Sequence, residues 1–497
     1  MNSSHNLHPI QNMIVYTADP WESALPVLRY RAAAGLAGIT VIHGNDNHTV
    51  DLSRIEQADL VLIQRDFPRF TSTWGEILLA ARRLGVPVVY ETDDLLFDLS
   101  EDHPSYQDLS LYTIPMMTAI QEADLVTTST EFLAERLRPL QPNLQVLSNY
   151  LNNQLWSLRA PQESVSNDRL TIGYMGGKTH LQDLSSITSV LQKIIQLYSE
   201  RVTMRFWGCQ PPTELLGHPC VDWTPMNMLD YALFAAYFKR QHIDIAIAPL
   251  EDNVLNQAKS PIKFLEYSAL GAAGIYSDQP GYASILQHGE NGYLAANLDD
   301  WEACLIDLIE NPHKRWRMAM AAQETVRKDW LLSDHANFWT QTYQNIQPSP
   351  KASPVKLEKT IELVCKSQDH ILSLEAERSR SMHEKENCEQ DLHNMHEQLN
   401  ATLADLHTAQ NQVDLLKEEV EVHKDQVALT KTEKKSVETE LLNTRTELSQ
   451  LQSTLDEIQN NRTWKMLQLI QRFRQWIIPA HSRREKLLKK LGVLSNK

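Results

Sequence analysis

The 497-residue sequence has few cysteines, no long apolar run and none of the short motifs that mark several large enzyme classes. Its five cysteines (Cys209, Cys220, Cys304, Cys365, Cys388) are odd in number and show no CxxC or CxxH spacing. That excludes a disulfide framework and a zinc site, and fits a reducing compartment. No stretch approaches the roughly 20 apolar residues of a membrane-spanning helix. The N-terminus, MNSSHNLHPIQNMIVYT, lacks the basic region and apolar run of a signal peptide. A cytoplasmic protein is expected. Walker, HExxH and GxSxG patterns are missing, so NTPase, zinc-protease and serine-hydrolase chemistry lack their core residues. GxGxxG is missing too, which argues against a dinucleotide oxidoreductase. No metal and no cofactor is expected.

What is present is an α/β pattern followed by a long helix. With 42% hydrophobic residues the chain is long enough for two or three domains. Apolar runs MIVYT, GITVIH, ADLVLIQ, VPVVYE, ADLVTTS and LQVLS alternate with helix-like stretches between Met13 and Ser148, the mark of βαβ units in a parallel sheet. A polar stretch, Ala160 to Arg169, reads as a linker. The alternation restarts with LTIGYMG, VTMRFWG, IDIAIAPL and GAAGIYS, up to the helix-rich region Asp299 to Ile346. We expect two Rossmann-like domains facing a cleft, 1–160 and 161–346, with the site at the carboxyl ends of the strands.

After IDIAIAPL comes Lys259-Ser260-Pro261-Ile262-Lys263-Phe264-Leu265-Glu266-Tyr267, then Ser268-Ala269-Leu270-Gly271. Ser260 reads as an N-cap with Pro261 at the first helical position. The free amides and positive end of such a helix suit a diphosphate, with Lys259 just ahead of it. Glu266, one to two turns inside, can accept two hydrogen bonds from a cis-diol such as a ribose. Gly271 then ends the helix. An ordinary capped helix with a solvated Glu266 has the same pattern. A second constellation, Gly176-Gly177-Lys178-Thr179-His180 and Asp183, follows the strand LTIGYM. Its glycines permit close approach to phosphate and Lys178 can neutralise a leaving diphosphate, with His180 as a further donor-side candidate.

The stretch KSPIKFLEYSALGAAGIYSDQPGY, followed by ILQHGENGYLA, resembles the donor-binding region of the retaining GT-B glycosyltransferases, in a bacterial branch, and the resemblance spans roughly residues 13 to 345. It implies a nucleoside diphosphate sugar as donor, and it implies that Glu266 is the second glutamate of the family's E-x7-E motif, binding the ribose. Position 258 is alanine where the first glutamate is expected, and Asn256 or Lys259 is the candidate in its place. The resemblance assigns leaving-group stabilisation to Lys178.

In the first domain VPVVYE ends in Glu91-Thr92-Asp93-Asp94. An acidic D-x-D metal site belongs to a different, single-domain fold. In the GT-B family this strand often ends in a His near the acceptor, and Asp93 stands in its place. Asp93 or Asp94 is therefore the candidate that orients the acceptor hydroxyl or acts as a weak base, the alternative being that these acids cap the next segment. Arg29 and Arg31 follow the first strand. Arg31 is the acceptor-side candidate, and a solvated helix face is the plainer account of both.

Residues 347–387 read as a linker and irregular helix, and residues 388–460 as a coiled coil. Apolar residues recur every seven positions from Leu392 to Leu455, interrupted by Lys434, and a second series from Met395 to Ile458, polar at several positions, completes an a/d pattern. Its partner is expected to be another copy or another coiled-coil protein. Net charge is −16, yet the tail from 462 onward carries ten Lys or Arg and one acid, Glu485. In Trp464 to Ile478 apolar and aromatic residues gather on one helical face between basic flanks, as in a helix lying on an anionic membrane surface. A short bundle closing the coil is the alternative, and nucleic-acid binding is not expected. The reading is a peripheral, cytoplasmic-face glycosyltransferase with a glycan or lipid-linked acceptor, acting in bacterial surface polysaccharide synthesis. The rival is a coiled-coil scaffold whose GT-B part binds nucleotide-sugar or glycan without turnover.

Overall fold

The computed structural model describes residues 9–46, 49–67, 69–99, 101, 103, 105–162, 169–226, 228–346, 354–427, 431–460 and 466. The chain divides into two compact units, Met1–His370 and Ile371–Lys497.

The first unit carries two six-stranded parallel sheets. The first sheet contains β1 (Asn12–Tyr16), β2 (Thr40–His43), β5 (Leu60–Gln64), β6 (Val88–Thr92), β7 (Leu125–Thr128) and β8 (Leu144–Val146). They lie in the order β2-β1-β5-β6-β7-β8, with a small antiparallel pair, β3 (Asn45–Asp46) and β4 (Thr49–Val50), after β2. The second sheet has β9 (Leu170–Gly176), β10 (Val202–Gly208), β11 (Val221–Thr224), β12 (Ile245–Ala248), β13 (Ala273–Ser277) and β14 (Tyr293–Ala295), in the order β11-β10-β9-β12-β13-β14. Helices cover both faces of such sheets, which is why LVLIQ of β5 and IAIA of β12 are buried at every residue instead of alternating. The order reverses between β1 and β5 and between β9 and β12, so each sheet opens a crevice at its own switch point. β11 and β14 were not anticipated. β11 is an edge strand whose Trp223 is exposed, and β14 has only three residues.

The crossings between the domains differ from the expected boundaries at 160 and 346. Leu147 packs in an apolar cluster of the first domain, whereas Leu151 and Trp156 already belong to one of the second. On the return, the helix Leu332–Gln344 leaves the second domain: Leu332, Trp339, Tyr343 and Ile346 pack with Met13, Tyr30 and Leu62. The two crossing segments bond to each other, Leu151 N to the Trp330 carbonyl and Leu332 N to the Leu151 carbonyl, each at 2.9 Å. Burial of Trp156 and Trp339, not the polar composition of 160–169, decides where the chain changes domain.

The segment expected as linker and irregular helix is regular from Pro354. One helix runs Pro354–Val427, and its first turns place Leu357 and Ile361 in an apolar cluster of the first domain. In the second unit, Leu392, Met395, Leu399, Thr402, Leu406 and Ala409 are among the partly shielded residues of a mostly exposed helix, and Val413 is buried. A second helix, Lys431–Asn460, contains the buried Thr444. Among the described residues no helix is long and apolar enough to cross a membrane. The basic tail, with the helix expected over Trp464 to Ile478, lies outside the described residues apart from Met466.

Replacing a fully buried Trp removes both transfer energy and packing. Trp339→Ala should lower the free energy of unfolding by about 3–5 kcal/mol, measured by urea denaturation. A loss below about 1 kcal/mol would mean that the final helix is not fastened through Trp339.

Candidate functional site

The second sheet parts at its switch point. β9 pairs with β10 as far as Gly176, but with β12 only at Ile172 and Gly173. The freed Met175 N–H donates instead to the Tyr267 hydroxyl at 2.9 Å, and that hydroxyl donates to the Ile247 carbonyl at 3.3 Å. Tyr267, fully buried, thus holds the crevice open. Around it gather the Gly176–His180 turn, Asp183 and the helix Ile262–Leu270.

That helix starts one residue later than expected. Pro261 occupies the cap position without a side-chain bond, and Ser260 does not cap. The Ser260 hydroxyl is taken by the first domain, where Asn149 Nδ2 donates to it at 2.7 Å. Lys259 Nζ lies 3.4 Å from Asp94 Oδ1. Gly271, with φ 78°, ends the helix as expected, a left-handed conformation that glycine adopts without strain.

Glu266 is not a solvated surface residue. It is 6% exposed, and the Tyr231 hydroxyl donates to its Oε1 at 2.7 Å, itself accepting from Trp156 Nε1 at 3.0 Å. Burial raises its pKa from 4.5 to about 7. Lys263, one turn earlier on the same face, has its ammonium 3.5 Å from the Tyr174 hydroxyl and 4.8 Å from the ring centroid. Burial lowers its pKa to about 8, which leaves it charged at neutral pH. The charge of Lys263 and burial together push His180 down to about 4. The neutral ring sits with Nδ1 2.8 Å from Asp183 Oδ2, and since Asp183 stays ionised, the fitting tautomer gives it the Nδ1 proton. Asp183 Oδ1 also accepts from Glu251 N and Asn256 Nδ2, so Asn256 is committed to Asp183. Lys178 lies in the one-turn helix Lys178–His180, and its side chain is outside the described ones.

Across the cleft the acidic run splits, because Glu91 is still inside β6 whereas Asp93 and Asp94 follow its last residue, Thr92. Glu91 turns inward, 2.5 Å from Arg29 Nε, and accepts from Thr127 Oγ1 at 2.7 Å. Arg29, fully buried, is on no solvated face. Arg31 stacks on Trp21 at 4.7 Å and donates to the Trp21 carbonyl at 2.5 Å and to Glu22 at 3.0 Å, so the structure does not bring it to the other site residues. Asp93 and Asp94 do face the cleft, and neither caps a helix. Arg65 stands amid them: Asp19 and Asp66 are 4.0 and 3.9 Å from its Nε, Asp93 and Asp94 3.8 and 3.9 Å from its Nη1. Burial opposes the charge of Arg65, and the four carboxylates, Asp93 foremost, hold it protonated. A guanidinium therefore stands at the centre of the four carboxylates. Among the described residues no group of three or more His, Cys, Asp or Glu is arranged to hold a metal ion. Burial and the Asp94 charge raise Asp93 to about 7, whereas Lys259 and Arg65 outweigh burial at Asp94 and hold it low.

The expected donor residues Gly176, Gly177, His180 and Glu266 surround the crevice, and Lys259 and Ser260 bridge from it to the first domain. Lys263, Tyr231 and Arg65 were not anticipated. Lys263 was open to detection, three residues before Glu266 on one helical face. Arg65 was not, since its role depends on carboxylates from three strands and on a backbone φ of 49°.

Residues 192–341 match the family described as Glycosyl transferase-like. No protein of curated function matches the chain. Sucrose-phosphate synthase (tll1590) from Thermosynechococcus elongatus is similar in structure, with a TM-score of 0.50 at 12% identity over 67% of this chain and 98% of that one. Anabaena Alr3699/HepE in complex with UDP and glucose has a TM-score of 0.49 at 12% identity, over 67% and 99%. A glycosyltransferase from Rickettsia africae ESF-5 has a TM-score of 0.46 at 12% identity, over 68% and 98%. The first unit has the GT-B fold: two parallel-sheet Rossmann-like domains facing a cleft.

Glu266 binds its proton more tightly in the folded chain. Its support for folding is complete below about pH 4.5 and fades as pH rises through about 7. Glu266→Gln lacks that loss. Its stability relative to wild type should improve between pH 4.5 and 7.5 by on the order of 2–3 kcal/mol, read from urea midpoints at each pH. A difference independent of pH would show that Glu266 is not held in its neutral form by burial.

Proposed function

We propose that the chain is a glycosyltransferase that moves a sugar from a nucleoside diphosphate sugar to a glycan or lipid-linked acceptor. The carrying observation is the pairing, on one face of the helix Ile262–Leu270, of a buried carboxylate, Glu266, with a half-buried ammonium, Lys263, at the switch-point crevice of the matched domain. A carboxylate that burial has made proton-hungry gains most from two hydroxyl donors, which suits a ribose. Lys263, Lys259, Lys178 and the open helix start provide positive charge for a diphosphate, so the reading requires no metal and no cofactor.

Transfer with retention follows from the resemblance. A front-side displacement needs leaving-group stabilisation, the role of Lys178, and only a weak base near the acceptor. Asp93, with a pKa near 7, suits that role at neutral pH and Asp94 stays ionised beside it. Action on a bacterial surface polysaccharide, self-association through 388–460 and attachment of the tail to the cytoplasmic membrane face are parts of the same proposal.

One observation favours the scaffold reading. Ala258, where the family's first glutamate is expected, is fully buried in the apolar cluster of the first domain, so nothing at that position reaches a sugar.

Purified protein should hydrolyse or transfer at least one member of a nucleotide-sugar panel. Glu266→Ala and Lys178→Ala should each lower turnover tenfold or more while circular dichroism is unchanged. Wild-type activity in both variants would remove the site assignment. A chain inert towards the whole panel that still recruits partners through 388–460 would favour the scaffold. Deleting 462–497 should release the protein from anionic vesicles in a sedimentation assay, and equal sedimentation would reject the membrane role.

A further inference from the structure

The helix Thr71–Leu84 begins without a cap of its own, since Phe70 precedes it and lends no side-chain bond. Its first N–H is satisfied from the far end of the unit: Gln368 Oε1 accepts from Thr71 N at 2.9 Å, while Gln368 Nε2 donates to the Arg69 carbonyl at 2.8 Å. A primary amide does both at once, with a separate donor and acceptor, which an ionised carboxylate cannot do. Gln368 is 4% exposed. Its position is set by the preceding turns, where Leu357 and Ile361 enter the apolar cluster of the first domain and Glu358 lies 3.4 Å from Arg83. Gly75 makes the approach possible, because a Cβ there would meet Ile361 Cγ2 at 2.7 Å.

The residue whose carbonyl Gln368 holds is itself tied to the cleft. Arg69 donates to Asp66 Oδ2 from Nη2 at 2.8 Å and from Nε at 3.2 Å, and to Asp108 at 3.1 Å. Asp66 lies 3.9 Å from Arg65, the centre of the Asp19, Asp93 and Asp94 group. Arg65 holds a φ of 49°, a conformation costly for a side chain of its size, so its setting depends on the surroundings.

We propose that Gln368 is a positioning residue for the acceptor-side carboxylates, acting through Arg69 and Asp66 on Arg65, so that the start of the long C-terminal helix is a working part of the first domain's site. The inference rests on Asp93 and Asp94 being the acceptor side. It also gives the helix a function beyond tethering, because anything that draws its first turns away from Gly75 would disturb Arg65.

The test uses the full chain in three forms: wild type, Gln368→Met, which keeps the bulk and removes both bonds, and Gln368→Glu, which keeps the acceptor for Thr71. The first readout is titration of the Asp93 carboxyl by carbon NMR of Asp-labelled protein, assigned with Asp93→Asn. Asp93 in wild type should titrate near 7, and Gln368→Met should raise the midpoint by half a unit or more, because the Arg65 charge that holds it down is displaced, with Gln368→Glu in between. The second readout is turnover of the active nucleotide sugar, where Gln368→Met should lose about tenfold in kcat with nucleotide Kd within twofold of wild type. A variant that melts earlier but leaves the Asp93 midpoint unchanged overturns the inference. If wild type turns over no nucleotide sugar, the proposed function fails while the titration still decides the role of Gln368.

Discussion

The segment from Asn253 to Pro261 is where the two domains are held together, and the cleft depends on it. Its short helix Val254–Gln257 belongs to the second domain by connectivity, but Val254, Leu255 and Ala258 pack into the apolar cluster of the first. Polar bonds follow in succession: Thr130 Oγ1 donates to the Ala258 carbonyl at 2.9 Å, Lys259 faces Asp94, and Asn149 holds Ser260. The next residues open the helix that carries Lys263 and Glu266. Whatever fixes the distance between the sheets therefore also fixes where that helix begins. A carboxylate at 258 would have to be buried among apolar side chains of the other domain, at a cost of several kcal/mol. An alanine there is what this mode of docking requires.

With that constraint in place, the electrostatics of the cleft divide into two halves. On the second-domain side burial dominates: Glu266 and Lys263 are both shifted towards neutrality, and the Lys263 charge keeps His180 unprotonated. Groups held in this way gain more from a ligand that brings complementary hydrogen bonds than solvated ones would. On the first-domain side Arg65 stands among four carboxylates, and burial first, then the Asp94 charge, raises Asp93 to about 7. Lys259 links the two halves through Asp94.

Much of the fold was legible because parallel strands buried on both faces read as unbroken apolar runs, from MIVYT to GAAGIYS. The strands that escaped, Val221–Thr224 and Tyr293–Ala295, are short edges without such runs. The domain crossings were misplaced because they depend on long-range burial of Trp156 and Trp339, which local polarity does not report. At the site, Glu266 and Gly271 were legible from helix-boundary chemistry. The Ser260 cap was not realised because Asn149, distant in sequence, claims its hydroxyl. Glu91 was grouped with Asp93 and Asp94 by adjacency, although it lies inside β6 and pairs with Arg29 while the two aspartates follow the end of the strand. Gln368 was hidden inside a stretch whose composition read as an irregular linker, since nothing local marks a residue that caps a helix far away.

Glu266 is proposed to grip the ribose of a nucleoside diphosphate. Calorimetric titration of wild type and Glu266→Ala with UDP and with its 2′,3′-dideoxy analogue, and with other bases if UDP does not bind, tests it directly. Loss of the diol should weaken binding to wild type by about 1.5–3 kcal/mol, the range for a hydrogen bond to a charged group, and should make no difference to Glu266→Ala. An equal loss in both proteins, or none in wild type, would contradict the account.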